Sequence, residues 1–189
     1  RHLSYHVYPV KGSPWRDRVG RVVKSWSLFD GVKVVAVATD DRTDSFDDVV
    51  DLLPSGDDVI YREFANEPKL GETLTWEWRW AEVLDVADDA DAVLYGHAKG
   101  TTRGPGVCQE WSELCHSLSL DHWRETEELL RRYPIVGSLR KHGNGFPPPS
   151  KGDWHYSGTF YWVRAGDVRS RGFRKVAPHR WGVESWPGE

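Results

Sequence analysis

The chain has 189 residues, and 25 Lys and Arg against 29 Asp and Glu give it a formal net charge of −4 at pH 7. This length suits one α/β domain, or at most two very small ones, and the slight acidity argues against a general nucleic-acid coat protein, which carries a strongly basic face. No apolar run approaches the roughly 20 residues of a membrane-spanning helix. Only Cys108 and Cys115 could pair, so we expect a cytoplasmic protein without a membrane span.

The first half of the chain alternates strand-like and helix-like patterns. Short apolar runs are typical of strands buried on both faces of a parallel sheet, and apolar residues three and four positions apart indicate helices. In chain order these patterns predict a strand at 3–10, a helix after Ser13 and Pro14, a strand at 32–39, a helix at 45–53, a strand at 59–64, a helix at 73–87 and a strand at 92–95.

Local signals show how three of these helices are built. Ser13 and Pro14 are typical of an N-cap followed by a proline in the first turn. Ser45 and Asp48 have the spacing of a capping box. Helix 73–87 carries apolar residues on two stripes, which predicts burial over most of its circumference.

The second half of the chain is less regular. We predict a long helical region at 109–132, a strand at 135–139, a proline-rich loop at 141–153 and a strand at 158–163, followed by about twenty irregular residues. Strands that alternate with helices predict an α/β fold, with a mainly parallel central sheet flanked by helices.

Several enzyme signatures are absent from the sequence. There is no G-x-G-x-x-G motif after the first strand, no phosphate-binding P-loop motif and no H-E-x-x-H metal motif. The cysteines and histidines lack zinc-site spacing, and no G-x-S-x-G elbow is present. The enzyme classes defined by these motifs are therefore disfavoured.

Acidic residues follow the predicted strand 32–39 at its carboxyl end, where parallel sheets bind their ligands. The carboxylates of Asp40 and Asp41 can accept hydrogen bonds from a ribose or a nucleobase, or bind a divalent cation. The alternative is a pair of solvated carboxylates in an acidic turn. The residues alone leave both interpretations open.

A second polar group follows the predicted strand 92–95. His97 and Lys99 flank a small residue and precede Gly100. The lysine can balance the charge of a diphosphate, and the glycine lets the backbone approach a ligand closely. The alternative is an ordinary surface turn.

Two further candidates lie in the last third of the chain. Ser157, Gly158 and Thr159 are small residues that suit a ligand lying against the backbone, or they are an ordinary strand entry. Glu184 lies among tryptophans, an apolar setting that suits a general base. The alternative for Glu184 is an exposed residue near the end of the chain.

Segments in order along nearly the whole chain are similar to one protein family. They are 6–10 (HVYPV), 38–41 (ATDD), 95–100 (YGHAKG), the helical region around Trp111 and Trp123, 133–137 (YPIVG) and 155–162 (HYSGTFYW). Through these segments the chain resembles the GT-A-type glycosyltransferases of polysaccharide biosynthesis, in particular a group related to rhamnan-synthesis proteins.

The resemblance implies one GT-A-like, Rossmann-type domain over 1–189, with a donor half at about 1–105 and an acceptor half at about 106–189. The expected partners are a nucleoside-diphosphate sugar and a saccharide or other hydroxyl acceptor. The resemblance places the following residues at the donor: Pro9, Val10, Asp40, Asp41, His97, Lys99, Gly100, Ser157, Gly158 and Thr159.

The Asp-x-Asp motif with which most GT-A enzymes hold Mn²⁺ or Mg²⁺ is replaced in this chain by His97, Ala98 and Lys99. We therefore expect Lys99, together with His97, to supply the positive charge that a metal otherwise supplies to the departing diphosphate. No metal ligand is assigned, and a Mn²⁺ or Mg²⁺ cofactor stays open.

For an inverting displacement, the resemblance implies that Glu184 or Asp153 is the base that deprotonates the acceptor hydroxyl. It implies that His155, Trp154 and Trp186 bind the acceptor, although core packing is an alternative explanation for many of the tryptophans.

Two other functions compete with glycosyl transfer. A non-catalytic carbohydrate- or nucleotide-binding module on the same fold is favoured by the missing Asp-x-Asp motif and the short chain, but it would not hydrolyse a nucleotide sugar. A nucleotidyltransferase is less well supported, because it needs a glycine-rich, basic loop after the first strand. Residues 10–15 offer only Lys11 and Gly12 for that loop.

Overall fold

The computed structural model describes residues 1–98, 107–143 and 152–189. Its strands are β1 (His2–Val7), β2 (Lys33–Thr39), β3 (Val59–Ala65), β4 (Ala92–His97), β5 (Ile135–Gly137), β6 (Arg140–His142), β7 (Trp154–Tyr156) and β8 (Tyr161–Arg164). Its α-helices are α1 (Trp15–Lys24), α2 (Phe46–Val50), α3 (Thr73–Val86), α4 (Val107–His116), α5 (Trp123–Leu130), α6 (Ala165–Arg171) and α7 (Gly182–Ser185).

The central sheet has six strands in the order β3-β2-β1-β4-β8-β5. The first four of these strands are mutually parallel, whereas β8 runs antiparallel to both β4 and β5. A separate antiparallel ribbon consists of β6 and β7. The prediction of an α/β fold with a mainly parallel sheet is confirmed.

Apolar side chains cover both faces of the parallel strands. Leu3, Tyr5 and Val7 of β1 share one buried cluster, as their alternation predicts. Val34 of β2 and Tyr95 of β4 belong to a second buried cluster, which includes the tryptophans of α3. The strands are therefore enclosed between two layers, which explains their nearly continuous apolar sequences.

The two predicted helix starts differ in outcome. The capping box at α2 is confirmed, because the Ser45 hydroxyl accepts from the Asp48 backbone and the Asp48 carboxylate accepts from the Ser45 backbone. At α1 the prediction is wrong, because Pro14 itself is the N-cap residue. The Ser13 hydroxyl donates to the Val10 carbonyl instead of capping the helix.

Only one of the two apolar stripes of α3 is fully buried. Trp76, Trp80 and Val83 lie in the core, whereas Leu74 and Trp78 are half-buried. The exposed positions of the helix are Glu77, Asp85 and Val86. The predicted burial is therefore complete for one stripe and partial for the other.

The second half of the chain is more broken than its sequence predicts. The predicted helical region at 109–132 consists of α4, a π-helical turn (Ser117–Asp121) and α5. The predicted strand at 158–163 begins only at Tyr161. The residues that we expected to be irregular include α7 and two 3-10 turns (Phe173–Lys175 and Trp186–Gly188), which are too short to produce a periodic pattern.

Part of the predicted loop at 141–153 also forms structure, because Lys141 pairs with His155 in the ribbon of β6 and β7. Across the described residues, no helix combines the length and the apolar character that crossing a membrane requires.

Candidate functional site

The strand order changes direction between β1 and β4. From β1 the chain continues to β2 and β3 on one side, whereas β8 and β5 lie on the other side of β4. Open α/β sheets bind ligands in the crevice beside such a switch point, at the carboxyl ends of the strands. Tyr8 follows β1 at this edge, and Ala98 follows β4 and donates its N–H to the His6 carbonyl at 2.9 Å.

Asp40 collects hydrogen bonds from three segments at this edge. Its Oδ2 accepts from the Tyr8 hydroxyl at 2.7 Å, from Arg42 Nη2 at 2.7 Å and from Asn66 Nδ2 at 2.8 Å. Tyr8 follows β1, Asp40 follows β2 and Asn66 follows β3. One carboxylate therefore ties together the ends of three parallel strands.

Backbone contacts fix the turn that carries Asp40. The Thr43 hydroxyl donates to the Asp40 carbonyl at 2.9 Å, and Val10 pairs with Thr43 in an isolated antiparallel bridge. The Asp44 N–H donates to the Pro9 carbonyl at 2.9 Å. The structure thus brings the predicted donor residues Pro9 and Val10 against the Asp40 turn, which they support through their backbone.

The electrostatics of this group are well defined. The Arg42 hydrogen bond, helped by Tyr8 and Asn66, holds the pKa of Asp40 well below its usual value, against the opposing effect of partial burial. Burial, with the Asp40 carboxylate beside it, raises the pKa of Tyr8 to about 12. At neutral pH Asp40 is therefore an anion, and Tyr8 is a neutral donor to it.

Asp40 and Asp41 do not fit a Mn²⁺ or Mg²⁺ site as they are arranged. A carboxylate offers about four lone-pair positions, and those of Asp40 are occupied, since Oδ1 accepts from Arg42 N and Nε in addition to the three bonds on Oδ2. Arg42 already supplies a positive charge there. Asp41 is exposed, and Lys11 contacts only its carbonyl. In the ranges that the structure describes, no group of three or more His, Cys, Asp or Glu residues could hold a metal ion.

His97 joins β4 to the segment before β8. Its Nε2 lies 2.9 Å from the Gly158 carbonyl, and because a carbonyl only accepts, Nε2 carries the proton. Its Nδ1 lies 3.8 Å from Glu72 Oε2, at the N-cap position of α3. Two predicted donor residues, His97 and Gly158, are thus brought together, while Lys99 and Gly100 lie outside the described residues.

The predicted donor residues 157–159 form a buried turn. Gly158 and Thr159 both have positive φ angles, 105° and 52°, which explains the glycine and delays the start of β8. The Ser157 carbonyl accepts from Trp111 Nε1 at 3.3 Å. The turn is therefore anchored through its carbonyls, to α4 on one side and to His97 on the other.

A buried polar network lies beneath the edge between β1 and β4. His6 Nδ1 lies 3.0 Å from the Thr75 hydroxyl, which accepts from Arg79 Nε at 3.1 Å. Arg79 Nη2 donates to the Tyr95 hydroxyl at 2.6 Å, and Tyr95 donates to Glu72 at 3.4 Å. Burial, and then the Arg79 charge, hold the pKa of His6 well below its usual value, so His6 is neutral.

Two participants in these groups, Asn66 and Glu72, are not among the residues predicted from the sequence. Both follow the predicted strand 59–64, and the same rule that selects the ends of the other strands could have selected this segment. Nothing in the sequence, however, indicates that Glu72 faces His97.

The predicted base and one predicted acceptor residue form a pair. His155 Nε2 lies 3.6 Å from Glu184 Oε1, and their side chains are 10% and 22% exposed. Asp153, the other predicted base, is exposed, and its carbonyl accepts from Gly143 N at 3.1 Å. In the part of the chain that the structure describes, no side-chain contact joins Asp153 to this pair.

The two tryptophans predicted at the acceptor differ in position. Trp154 is half-buried and has the Arg140 guanidinium 4.2 Å from its ring centroid. Trp186 is 3% exposed and packs against Trp76, with ring centroids 5.2 Å apart. Core packing, which is the alternative to acceptor binding for many of the tryptophans, therefore accounts for Trp186.

An open cavity of about 800 Å³ lies at the amino ends of the strands, with Arg1, Asp30 and Arg164 in its wall. Arg1 pairs with Asp30, and Arg164 pairs with Asp167. The cavity lies at the edge opposite the switch point, so we place the candidate site at the carboxyl edge.

The comparisons with known proteins do not assign a family. No protein-family model matches the chain, and no curated protein matches it. The resemblance to GT-A-type glycosyltransferases therefore stays a prediction, and the fold itself is an α/β fold of the Rossmann-like kind.

Proposed function

We propose that the protein is a GT-A-type glycosyltransferase, which moves a sugar from a nucleoside-diphosphate sugar to a saccharide or other hydroxyl acceptor. The observation that carries the proposal is the Asp40 carboxylate, ionised and hydrogen-bonded to Tyr8 and Asn66 beside the switch point of a mainly parallel sheet. Open α/β sheets bind nucleotides at this edge, and a carboxylate there can accept a hydrogen bond from a ribose hydroxyl.

In the proposed complex, donor groups of the nucleoside replace Arg42 on Asp40. A ribose and a nucleobase both present O–H or N–H donors, and Asp40 is an acceptor. Arg42 is the most exposed of its present partners, with 61% of its side chain accessible. Tyr8 and Asn66 keep the carboxylate in position during the exchange.

The junction of His97 with Gly158 supports a diphosphate site next to the nucleoside. A departing diphosphate needs fixed positive charge close to it. His97 lies at the end of β4, next to β1, and the chain continues directly to Lys99. This arrangement is consistent with side-chain cations in the place of a metal.

The pair of His155 and Glu184 supports the acceptor half of the proposal. Glu184 takes the proton of the acceptor hydroxyl while the hydroxyl oxygen attacks the anomeric carbon, and the bond from that carbon to the diphosphate breaks. His155, 3.6 Å away, orients the carboxylate.

Thermal unfolding with UDP, GDP, CDP, ADP, dTDP and their sugars, each with Mn²⁺ and with EDTA, tests donor binding. A ligand at 100 times its Kd stabilises the folded state by about 2.7 kcal/mol, which raises Tm by about 5–10 °C for a chain of this size. We expect one nucleotide to produce this shift in EDTA. The Asp40→Asn variant should lose the shift, and the control Asp85→Asn, at an exposed position of α3, should keep it.

Release of the nucleoside diphosphate separates transfer from binding. We expect slow hydrolysis of the matching nucleotide sugar without an acceptor. A Tm shift without hydrolysis or transfer would assign the non-catalytic binding module instead, and no shift with any nucleotide would contradict the proposal.

A further inference from the structure

We propose that Glu72 is a positioning residue that keeps His97 doubly protonated, so that a fixed imidazolium charge stands at the carboxyl end of β4. The link from this charge to a diphosphate rests on the proposed function. The charge itself follows from contacts within the chain and can be tested separately.

The two ring nitrogens of His97 both face oxygen acceptors. Nε2 must carry a proton, because the Gly158 carbonyl at 2.9 Å cannot donate. Nδ1 is 3.8 Å from the Glu72 carboxylate, whose side chain is only 11% exposed. At this distance and degree of burial, a carboxylate favours the protonated form of the ring.

Other titratable groups of the described residues surround this pair on β1, α3, β4 and β8. His6, paired in register with His97, is neutral and therefore does not repel a charged ring. The Tyr95 hydroxyl links Arg79 to Glu72, because it accepts a hydrogen bond from Arg79 and donates one to Glu72. Among the described residues Tyr95 and Tyr161 also interact with Glu72, and burial raises the pKa of both tyrosines well above its usual value, so they are uncharged.

The chain offers a matched control on its surface. His122 Nδ1 lies 3.9 Å from Glu125 Oε1, almost the same distance as in the buried pair, but the side chains are 57% and 70% exposed. Solvent screens a pair of this kind. Glu125→Gln should therefore leave both the ring-nitrogen NMR signals of His122 and the binding of the nucleoside diphosphate unchanged.

Side-chain ¹⁵N NMR at pH 7 measures the charge directly. We expect two protonated ring nitrogens for His97 in the wild type, and one protonated and one bare nitrogen in Glu72→Gln. A bare nitrogen on His97 in the wild type would overturn the proposal, and this reading needs no variant that might fail to fold.

Binding of the nucleoside diphosphate with the largest Tm shift, measured in EDTA, tests the use of this charge. We expect Glu72→Gln to weaken binding about tenfold. His97→Gln should weaken it similarly, because an amide can still donate to Gly158 but carries no charge. Wild-type affinity in both variants would overturn the role at the diphosphate and leave the proposed function intact. If no nucleotide binds the wild type, the proposed function fails, and the NMR result still decides the charge on His97.

Discussion

Asp40→Asn tests whether the hydrogen-bonded group around Asp40 holds the ends of three strands together. In the wild type, the Tyr8 hydroxyl and the Asn66 amide lie 2.7 and 2.8 Å from Asp40 Oδ2. An amide accepts through one uncharged oxygen only, so in the variant both groups lose their charged acceptor. We therefore expect the free energy of unfolding to fall.

The magnitude follows from the exposure of the partners. A hydrogen bond to a charged group contributes about 1.5–3 kcal/mol, and the Asp40 side chain is 20% exposed. Arg42 is 61% exposed and adds little, because solvent screens exposed ion pairs. We expect a loss of about 2 kcal/mol, which lowers Tm by about 4–8 °C for a chain of this size.

The pH dependence makes this prediction specific. Because the pKa of Asp40 is lower in the folded than in the unfolded chain, its contribution is fully present above the unfolded value of about 4 and is lost as the pH falls towards the folded value. Urea unfolding at pH 7 should show the full difference between wild type and Asp40→Asn, and the difference should shrink below about pH 4.

Asp41→Asn is the control for this experiment. Asp41 is an exposed neighbour whose carboxylate has no hydrogen bond among the described residues, so the variant should match the wild type within about 0.5 kcal/mol. If Asp40→Asn unfolds like the wild type at pH 7, or if the difference persists unchanged at about pH 3, Asp40 does not hold the strand ends together in this way.

Two further predictions concern packing and use the same unfolding measurement. A Cβ at Gly96 would lie 2.7 Å from the Phe160 ring, which is fully buried. Gly96→Ala should therefore lower the free energy of unfolding by about 1–3 kcal/mol. The control Gly20→Ala, in open space on α1, should raise the free energy of unfolding by about 0.5–1 kcal/mol. Trp186→Ala should lower the free energy of unfolding by about 3–5 kcal/mol, because Trp186 is a core residue. Trp181→Ala, at a 41% exposed position, should lower it far less. Equal effects of the two variants in either pair would contradict the packing described.

The parallel strands and α2 could be predicted from the sequence because their signals are local. Strands buried on both faces need apolar residues at nearly every position, and β2 satisfies this from Val34 to Ala38. The capping box of Ser45 and Asp48 depends on residues three apart. The residues after β1, β2 and β4 could be selected because the α/β pattern itself indicates which end of a strand faces the ligand.

The partners of these residues could not be predicted. Periodicity reports which face of an element is buried but not what lies opposite, so the contacts of Glu72 with His97 and of His155 with Glu184 have no sequence signal. The ribbon of β6 and β7 also escapes prediction, because three-residue strands are too short to show a period of two.

The two arginines Arg18 and Arg79 show why the carboxyl edge between β1 and β4 is the place to seek function. Both are buried, but Arg18 has a carboxylate partner, Glu113, at 3.0 Å. Each guanidinium group has one nitrogen without a hydrogen-bond partner within the described part of the chain, but the partners of Arg79 are hydroxyl groups. A buried cation without a carboxylate is costly, and an apolar side chain of similar volume would often be more stable. Residues that reduce stability in this way are concentrated at functional sites. Arg79 lies beneath the edge where Glu72 and His97 meet.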